Sequence, residues 1–170
     1  MNGKWIDKKN VVLADTVYCD NQLVARDITV SLPEITFSTA EINAMGPLEL
    51  PIPSSIEAME ATINRDGMDS NAMSMLTPEK HNFEVRYVQN RTTADGTSTP
   101  EGCKAFISGI PKKIPGGDIT PGSASEREVT LSVIRYQLYV GGEEMFCIDK
   151  LNSICRIMGR DYYSSIAQLL

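Results

Sequence analysis

The sequence predicts a mainly β protein: a β-sandwich or barrel with a long extended hairpin and one or two short flanking helices. Three observations predict this class. Apolar and polar residues alternate with a period of two in several segments, two long extended arms follow one another late in the chain, and glycine and proline clusters separate the extended segments. With 170 residues the chain has the size of one domain.

The first quarter of the chain contains short extended segments followed by a long connection. Thr16 to Ala25 is expected to form two strands around the turn Asp20-Asn21, and Asp27 to Ala40 continues extended, with an edge or an irregularity at Pro33. Glu41 to Ser55 is expected to be a long loop, since its glycine and prolines oppose both helix and central strand. Long ordered loops of small domains commonly contact another molecule.

The next segments carry helical and strand signals. Ile56 to Ile63 has helical propensity, yet its apolar residues also alternate with a period of two, so the residues alone leave helix and strand open. Ser70 is the expected cap of a short helix that ends near Leu76. The alternation from Phe83 to Val88 predicts a strand.

A polar loop and two extended arms dominate the second half. The small polar residues from Thr92 to Gly102 predict a mobile surface loop. Lys104 to Ile114 and Glu126 to Val140 are the two arms, joined by a glycine-rich tip. In the second arm the apolar residues change face after Val133, which predicts a β-bulge or a change in what is buried.

A hairpin and a helix are expected at the C-terminal end. Gly141-Gly142 predicts a tight turn into a strand over 145–148, because glycine accepts the positive φ values of such turns. A terminal helix is expected over 161–169, with Asp161 as its cap and with Tyr162, Ile166 and Leu169 on one side.

Composition excludes several classes of protein. Sixteen basic and 22 acidic residues give a net charge of -6, which opposes tight, phosphate-driven binding of nucleic acid. The only histidine, His81, excludes a multi-histidine metal site, and no apolar run is long enough for a membrane anchor. The four cysteines form no Cys-x-x-Cys pair and are expected to be small buried hydrophobic residues. No cofactor is expected.

Enzymatic alternatives rest on a few residue pairs. They are His81 with Cys103 as base and thiol nucleophile, and Glu57 with Glu60 or Glu143 with Glu144 as the carboxylates of a glycosidase. His81 is better explained as a surface residue, and aromatic residues make up only 6% of the chain, too few for a sugar-binding cleft. The sequence therefore predicts no enzyme.

The length of the second arm suggests assembly. Its fifteen residues would extend about 50 Å, longer than a domain of this size is wide, and an overhanging ribbon with free edges must be covered or paired. If each copy pairs its hairpin with the next copy around a ring, the strands form a closed barrel without a free edge. The polar residues of the arms would then line a wet lumen: Lys104, Ser108, Lys112, Lys113, Glu126, Glu128, Thr130 and Ser132.

The order of several features resembles the major tail tube proteins of contractile-tailed bacteriophages and phage-like bacteriocins. In the first half these features are Val30-Ser31-Leu32-Pro33-Glu34-Ile35, then Met45-Gly46-Pro47, the segment Ile56 to Ile63, and Asp66-Gly67-Met68. In the second half they are the strand from Arg127 to Ile148 with its Gly141-Gly142 turn, then Asp149-Lys150-Leu151-Asn152 and a short helical tail. The resemblance covers about Val11 to Leu169 and makes Ile56 to Ile63 a strand.

The resemblance implies a structural role. Residues 1–170 would form one tail-tube domain, assembled in hexameric rings that stack into a tube inside a contractile sheath. The 41–53 loop would reach a neighbouring subunit, and the 104–140 hairpin would form the lumen wall. The expected interface residues are Glu41, Asn43, Met45, Gly46, Pro47 and Leu48, with Met45 as an apolar anchor.

Partners and location follow from the same resemblance. The expected partners are further copies of the chain, a sheath protein, and the baseplate, initiator and terminator proteins of the tube, with transient passage of DNA. The subunit would lie in a virion tail or phage-like particle assembled in the bacterial cytoplasm. Two alternatives remain: a small β-sandwich module that binds a carbohydrate or peptide, and a tube subunit of a type VI secretion-like system.

Overall fold

The computed structural model describes residues 6–170, so the first five residues of the predicted domain lie outside it. The strands are β1 (Lys8–Cys19), β2 (Gln22–Arg26), β3 (Val30–Ser31), β4 (Phe37–Asn43), β5 (Pro47–Ile56), β6 (Met59–Asp66), β7 (His81–Thr92), β8 (Ser98–Pro111), β9 (Glu126–Val140), β10 (Glu143–Asp149), β11 (Ile154–Ile157) and β12 (Arg160–Asp161). The helices are α1 (Ser70–Ser74) and α2 (Ser164–Ala167). Strands hold 59% of the residues and helices 5%, which confirms the mainly β class.

Ten of these strands form one antiparallel sheet. Its main order is β12-β11-β10-β9-β8-β7-β1-β2, while β6 pairs with β9 and carries β3 on its other edge. From Leu131 to Val140 β9 has strands on both edges, because β8 pairs with one edge and β6 and then β10 pair with the other, whereas residues 126–130 pair with β6 alone. β8 in turn lies between β7 and β9. The long hairpin is therefore paired within its own subunit over most of its length, and the expectation of an overhanging ribbon that only another copy could cover is wrong.

One hydrophobic cluster lies on the concave side of this sheet. It collects buried residues from strands that are far apart in the sheet order, so the sheet must curve around it. The cluster contains Val17, Phe83, Val85, Ala105 and Ile107 together with Met59, Ala61, Ile63, Val129, Leu131 and Val133. All four cysteines are buried and free, as the sequence predicts. The alternation in β6 confirms a strand over the helical propensity of this segment.

A β-bulge in β9 explains the change of apolar face. Ser108 pairs with Arg135, but its neighbour Gly109 pairs with Val133, so Ile134 is the extra residue of β9. Core-facing residues consequently shift from Leu131 and Val133 before the bulge to Tyr136 after it. This confirms the predicted phase change.

The expected loop over 41–53 is instead a second, separate sheet. β4 and β5 pair from Phe37 with Ile56 to Asn43 with Pro47, around a three-residue turn. The prolines of β5 are compatible with a strand because β5 has one neighbour and leaves its other edge open among the described residues. The prediction of a loop treats proline as incompatible with every strand. Proline is incompatible only with a central strand.

The expected mobile loop over 92–102 is also wrong. β7 continues to Thr92 and β8 begins at Ser98, and these two residues pair directly. Only residues 93–97 form a turn, in which the Asp95 carboxylate accepts a hydrogen bond from the backbone N–H of Thr97. Pairing with neighbouring strands outweighs the weak β-propensity of Pro100, Glu101 and Gly102 here. The arms are correspondingly β8 and β9, with residues 112–125 between them.

Both helices differ in detail from their predictions. The carboxylate of Asp69, and not Ser70, caps α1 by accepting a hydrogen bond from the Ala72 backbone N–H at 2.7 Å. α2 spans Ser164–Ala167 only, shorter than the expected 161–169. Its expected apolar stripe is divided, since Tyr162 packs against the core while Leu169 is exposed.

Candidate assembly surfaces

Every residue of the β4–β5 hairpin from Thr39 to Pro51 is exposed. All six predicted interface residues lie on it and all are exposed: Glu41, Asn43, Met45, Gly46, Pro47 and Leu48. Met45 forms the tip with its side chain fully in solvent, and it adopts a left-handed φ of 54° that costs a non-glycine residue about 1 kcal/mol or more. Ile42, Leu48 and Leu50 add apolar surface.

A hairpin of this kind needs support from outside itself. β4 and β5 pair only with each other among the described strands, and an isolated two-stranded hairpin is marginally stable in water. Its base is held by Phe37 and Ile56, which pack against the core, but its distal half is not. The hairpin thus exposes apolar side chains and unpaired backbone groups.

The first half of β1 offers a second docking surface. One edge of β1 pairs with β7. On the other edge β2 covers only Thr16 to Cys19, so this second edge of residues 8–14 has no strand beside it within the described chain. Val11, Val12 and Leu13 are each about half exposed or more in this stretch. A long apolar edge strand is an open template for pairing with another chain. Sequence analysis missed this surface, although an apolar run that breaks the period of two was visible.

Six residues predicted to line a lumen share one face of the sheet, opposite the core. Strand register places Ser132 opposite Glu60 and Thr130 opposite Thr62, and directly paired residues lie on the same face. Ser108 and Lys104 lie on the same face of the neighbouring strand β8, where they pair with Arg135 and Tyr139 of β9. The six are Lys104, Ser108, Lys112, Glu128, Thr130 and Ser132; Lys112 lies just beyond β8, where its backbone N–H donates to the Thr130 carbonyl.

Charges of both signs alternate on this polar face. The Lys112 ammonium pairs with Glu60, and the Lys113 ammonium lies 3.5 Å from Glu128. At the β10 end, Arg156 holds Glu144 with two hydrogen bonds of 2.6 and 3.1 Å, and Gln137 donates a further one. The bonds from Arg156 lower the pKa of Glu144 to about 2. Paired charges of this kind favour hydration without strong attraction for one sign of ligand.

A groove of about 590 Å³ opens on the same side of the sheet. Its floor is mostly apolar and includes Val88, Phe106 and Tyr139. The rings of Phe106 and Tyr139 meet edge to face, with their centroids 5.9 Å apart. Arg86 and Lys104 stand at its margin. Sequence analysis did not identify this groove, since its residues come from four strands.

Two of the three enzymatic residue pairs are held apart, and one member of the third is bound to a lysine. His81 lies opposite Gly109 and Cys103 opposite Tyr87, so six strand residues, or about 20 Å, separate His81 from Cys103. His81 is buried and bonded to Asp20 and Thr77, so its expected place on the surface is wrong. Glu143 and Glu144 are consecutive strand residues and therefore point to opposite faces. Glu60 is engaged by Lys112.

An unpaired apolar edge on β1, a projecting hairpin and a polar sheet face are surfaces typical of a structural subunit. The family model of phage tail tube protein FII matches residues 9–170, nearly the whole chain. The chain therefore belongs to the phage tail tube protein FII family, and it is a tail tube subunit with a structural, non-enzymatic role. No curated protein matches the chain significantly in sequence.

Three solved structures share the fold. A chain of the sheath-tube complex of an extracellular contractile injection system, PVC, in the extended state is 17% identical with a TM-score of 0.52, over 74% of this chain and 87% of that one. A chain of the PVC sheath/tube terminator in the extended state is 16% identical with a TM-score of 0.52, over 74% and 92%. A chain of the anti-feeding prophage tube-terminating cap is 20% identical with a TM-score of 0.51, over 74% and 87%.

The relation to a family of particle components confirms two coarser expectations. The chain is a component of a phage tail or a related particle, and it assembles into a tube. Neither helix of the described chain has the length and apolar character needed to span a bilayer.

Proposed function

We propose that the subunit forms hexameric rings that stack into a hollow tube through two different surfaces. The free edge of β1 pairs with the neighbouring subunit within a ring, and the β4–β5 hairpin contacts a subunit of the next ring or of its own. Two distinct head-to-tail interfaces on one subunit are sufficient to build a tube. The observation that carries the proposal is the exposed, half-supported hairpin in a chain of the tail tube family.

The polar face would then form the lumen wall. Its support is the common placement of the six polar residues opposite the core, together with the pairing of acidic side chains by Lys112 and Lys113. A hydrated surface of mixed charge allows DNA or another polymer to pass without strong adhesion. Sheath contacts would lie on the outside of the tube, and baseplate, initiator and terminator proteins at its ends, with assembly in the bacterial cytoplasm.

Replacing part of the hairpin tests the proposal. Ser38 and Ile52 are paired, so substituting Asn-Gly for residues 39–51 leaves a two-residue turn of favourable geometry between them. The shortened subunit should remain folded and soluble, with a circular dichroism spectrum that is still mainly β and a cooperative unfolding transition, but should form no tubes in negative-stain electron microscopy. Tubes of normal length and diameter from this variant would contradict the proposal. The full-length chain, purified in parallel, is the control.

A further inference from the structure

The turn between β1 and β2 meets the start of β7 in a compact cluster that the tube function does not use. Cys19 ends β1, Asp20 begins the turn, and His81 begins β7. The backbone fixes this meeting point, because Asp20 N–H donates to the Asn82 carbonyl at 2.8 Å and Asn82 N–H donates to the Asp20 carboxylate at 3.0 Å. Three side chains of different ligand chemistry, a thiol, a carboxylate and an imidazole, therefore stand together on a rigid base.

The ligand atoms have nearly the separations that a tetrahedral cation requires. His81 Nδ1 lies 2.8 Å and Cys19 Sγ lies 3.8 Å from Asp20 Oδ2, and all three atoms are within 4.8 Å of one another. Zinc bonds to nitrogen, oxygen and sulfur of about 2.0 to 2.3 Å place the ligands of a tetrahedral site about 3.3 to 3.6 Å apart. His81 Nδ1 and Cys19 Sγ, separated by up to 4.8 Å, would have to approach by at most about 1.3 Å, a distance that small shifts of both side chains can supply.

The opposite side of the His81 ring has the support typical of a metal ligand. Nε2 lies 3.1 Å from the Thr77 carbonyl oxygen and 2.8 Å from the Thr77 hydroxyl. An N–H on Nε2 that donates to this carbonyl leaves the lone pair of Nδ1 directed at the Asp20 carboxylate, an arrangement that a cation between the two atoms stabilises. Histidine ligands commonly hold their second nitrogen in this way. Without a metal, Nδ1–H instead donates to Asp20 and Nε2 accepts from the Thr77 hydroxyl.

Burial separates the cluster into a dry side and an open side. Cys19 and His81 are buried, whereas Asp20 is exposed. A cation could enter past Asp20 and keep a water molecule in its fourth position. Burial, followed by the charge of Asp20, raises the pKa of the Cys19 thiol to about 12, so the cation must displace the thiol proton.

We propose that Cys19, Asp20 and His81 form a three-ligand site for a thiophilic divalent cation of the Zn²⁺ type. Lone pairs of Cys19 Sγ, Asp20 Oδ2 and His81 Nδ1 bind the cation, and the thiol proton passes to solvent. The bound ion ties the β1–β2 turn to β7 and stabilises the subunit. The site is independent of the surfaces assigned to tube assembly, since it lies at the opposite end of β1 from the free edge.

The test uses the full chain, freed of metal with a chelator, and Co²⁺ and Zn²⁺ as probes. Co²⁺ should produce a thiolate charge-transfer band together with the visible bands of a tetrahedral site, and Zn²⁺ should abolish them and raise the thermal unfolding midpoint. The Cys19→Ser variant should lose the charge-transfer band and weaken Zn²⁺ binding at least about tenfold. The matched control, Cys155→Ser, removes another buried thiol and should retain both properties.

Direct titration of the unmodified chain keeps the proposal falsifiable if the buried variants fold poorly. No thiolate band with excess Co²⁺ and no Zn²⁺-dependent shift of the midpoint would overturn it. A band of equal intensity in Cys19→Ser would overturn it as well, because another cysteine would then be the ligand. The exposed Asp20→Asn variant supplies a third measurement, in which Zn²⁺ binding should weaken.

Discussion

Individual residues along β9 show how far side-chain pattern alone determines structure. Leu131 and Val133 are buried and Ser132 between them is exposed, as alternation predicts. The histidine shows the limit of such reasoning, because the partners that bury His81 come from the β1–β2 turn and from Thr77. Local sequence contains no signal for a contact between residues 61 positions apart.

Met45 provides the most specific test of the hairpin tip. Met45→Asn removes the apolar side chain and introduces asparagine, which tolerates the left-handed backbone at this position. The subunit should unfold at the same or a slightly higher temperature, whereas tube yield by sedimentation should fall severalfold, because the anchor is lost.

Met158 offers a matched control for that variant. It is also an exposed methionine with a positive φ, 49°, but it lies in the turn between β11 and β12. Met158→Asn should leave tube yield unchanged. Equal losses for the two variants would show that the effect is not specific to the hairpin.

Glu144 gives the subunit a defined dependence on acid. Its pKa is lowered from 4.5 to about 2, first by hydrogen bonds from Arg156, so the pair contributes fully above about pH 4.5 and is lost as the pH falls through about 2. Glu144→Gln should lower the free energy of unfolding at pH 7 by about 1 kcal/mol, a value reduced for partial exposure. The difference from the parent should disappear near pH 2 in urea titrations.

The neighbouring carboxylate controls for that change in charge. Glu143 is exposed and points to the other face of β10, and Glu143→Gln should leave the free energy of unfolding nearly constant over the same pH range. A difference between parent and Glu144→Gln that persists below pH 2 would show that the ion pair is not its cause.

Among the elements, the strands with clean alternation were predictable and those stabilised by special pairing were not. β6 and the two halves of β9 follow from a period of two, and even the bulge at Ile134 is visible as a change of phase. The sequence predicts a loop in place of β4 and β5, whereas the prolines of β5 are tolerated because β5 is an edge strand. Edge position depends on the neighbours of a strand, which local sequence does not specify.

Beside the bulge, the backbone of β9 leaves no room for a side chain at Gly109 of β8. A Cβ at Gly109 would lie 2.8 Å from the Ser132 carbonyl oxygen, closer than such atoms approach. Gly109→Ala should therefore lower the free energy of unfolding by about 1 to 3 kcal/mol in chemical denaturation. Gly102→Ala lies in the same strand with nothing within 4 Å of the added atom, and it should have little effect. Similar destabilisation by both would indicate a general intolerance of β8 to side chains.

For the whole molecule, the premise of a free hairpin was wrong while the resemblance to tube proteins was confirmed. Family membership over residues 9–170 supports the function, and the open edge of β1 replaces the hairpin as the surface proposed for ring closure. Assembly is still expected from strand edges, but from different ones.

A charge on the β1 edge tests ring closure. Val12 is 60% exposed, so Val12→Lys should leave the monomer folded but block pairing of this edge, as lysine does on natural edge strands. Size-exclusion chromatography should show a monomer where the parent forms larger assemblies. Met73→Lys introduces the same charge on the exposed side of α1 and should assemble normally. Rings of normal size from Val12→Lys would exclude this edge as the interface.

The sequence by itself determined the β class, the buried alternation, the burial of the cysteines, the bulge in β9 and, by resemblance, the tail tube family. These properties depend on residue type and spacing along one strand. Only the tertiary structure decided which edges are covered, that β4 and β5 form a projecting hairpin, and that Cys19, Asp20 and His81 meet. Strand neighbours are chosen by pairings between residues far apart in the chain, and no local pattern records them.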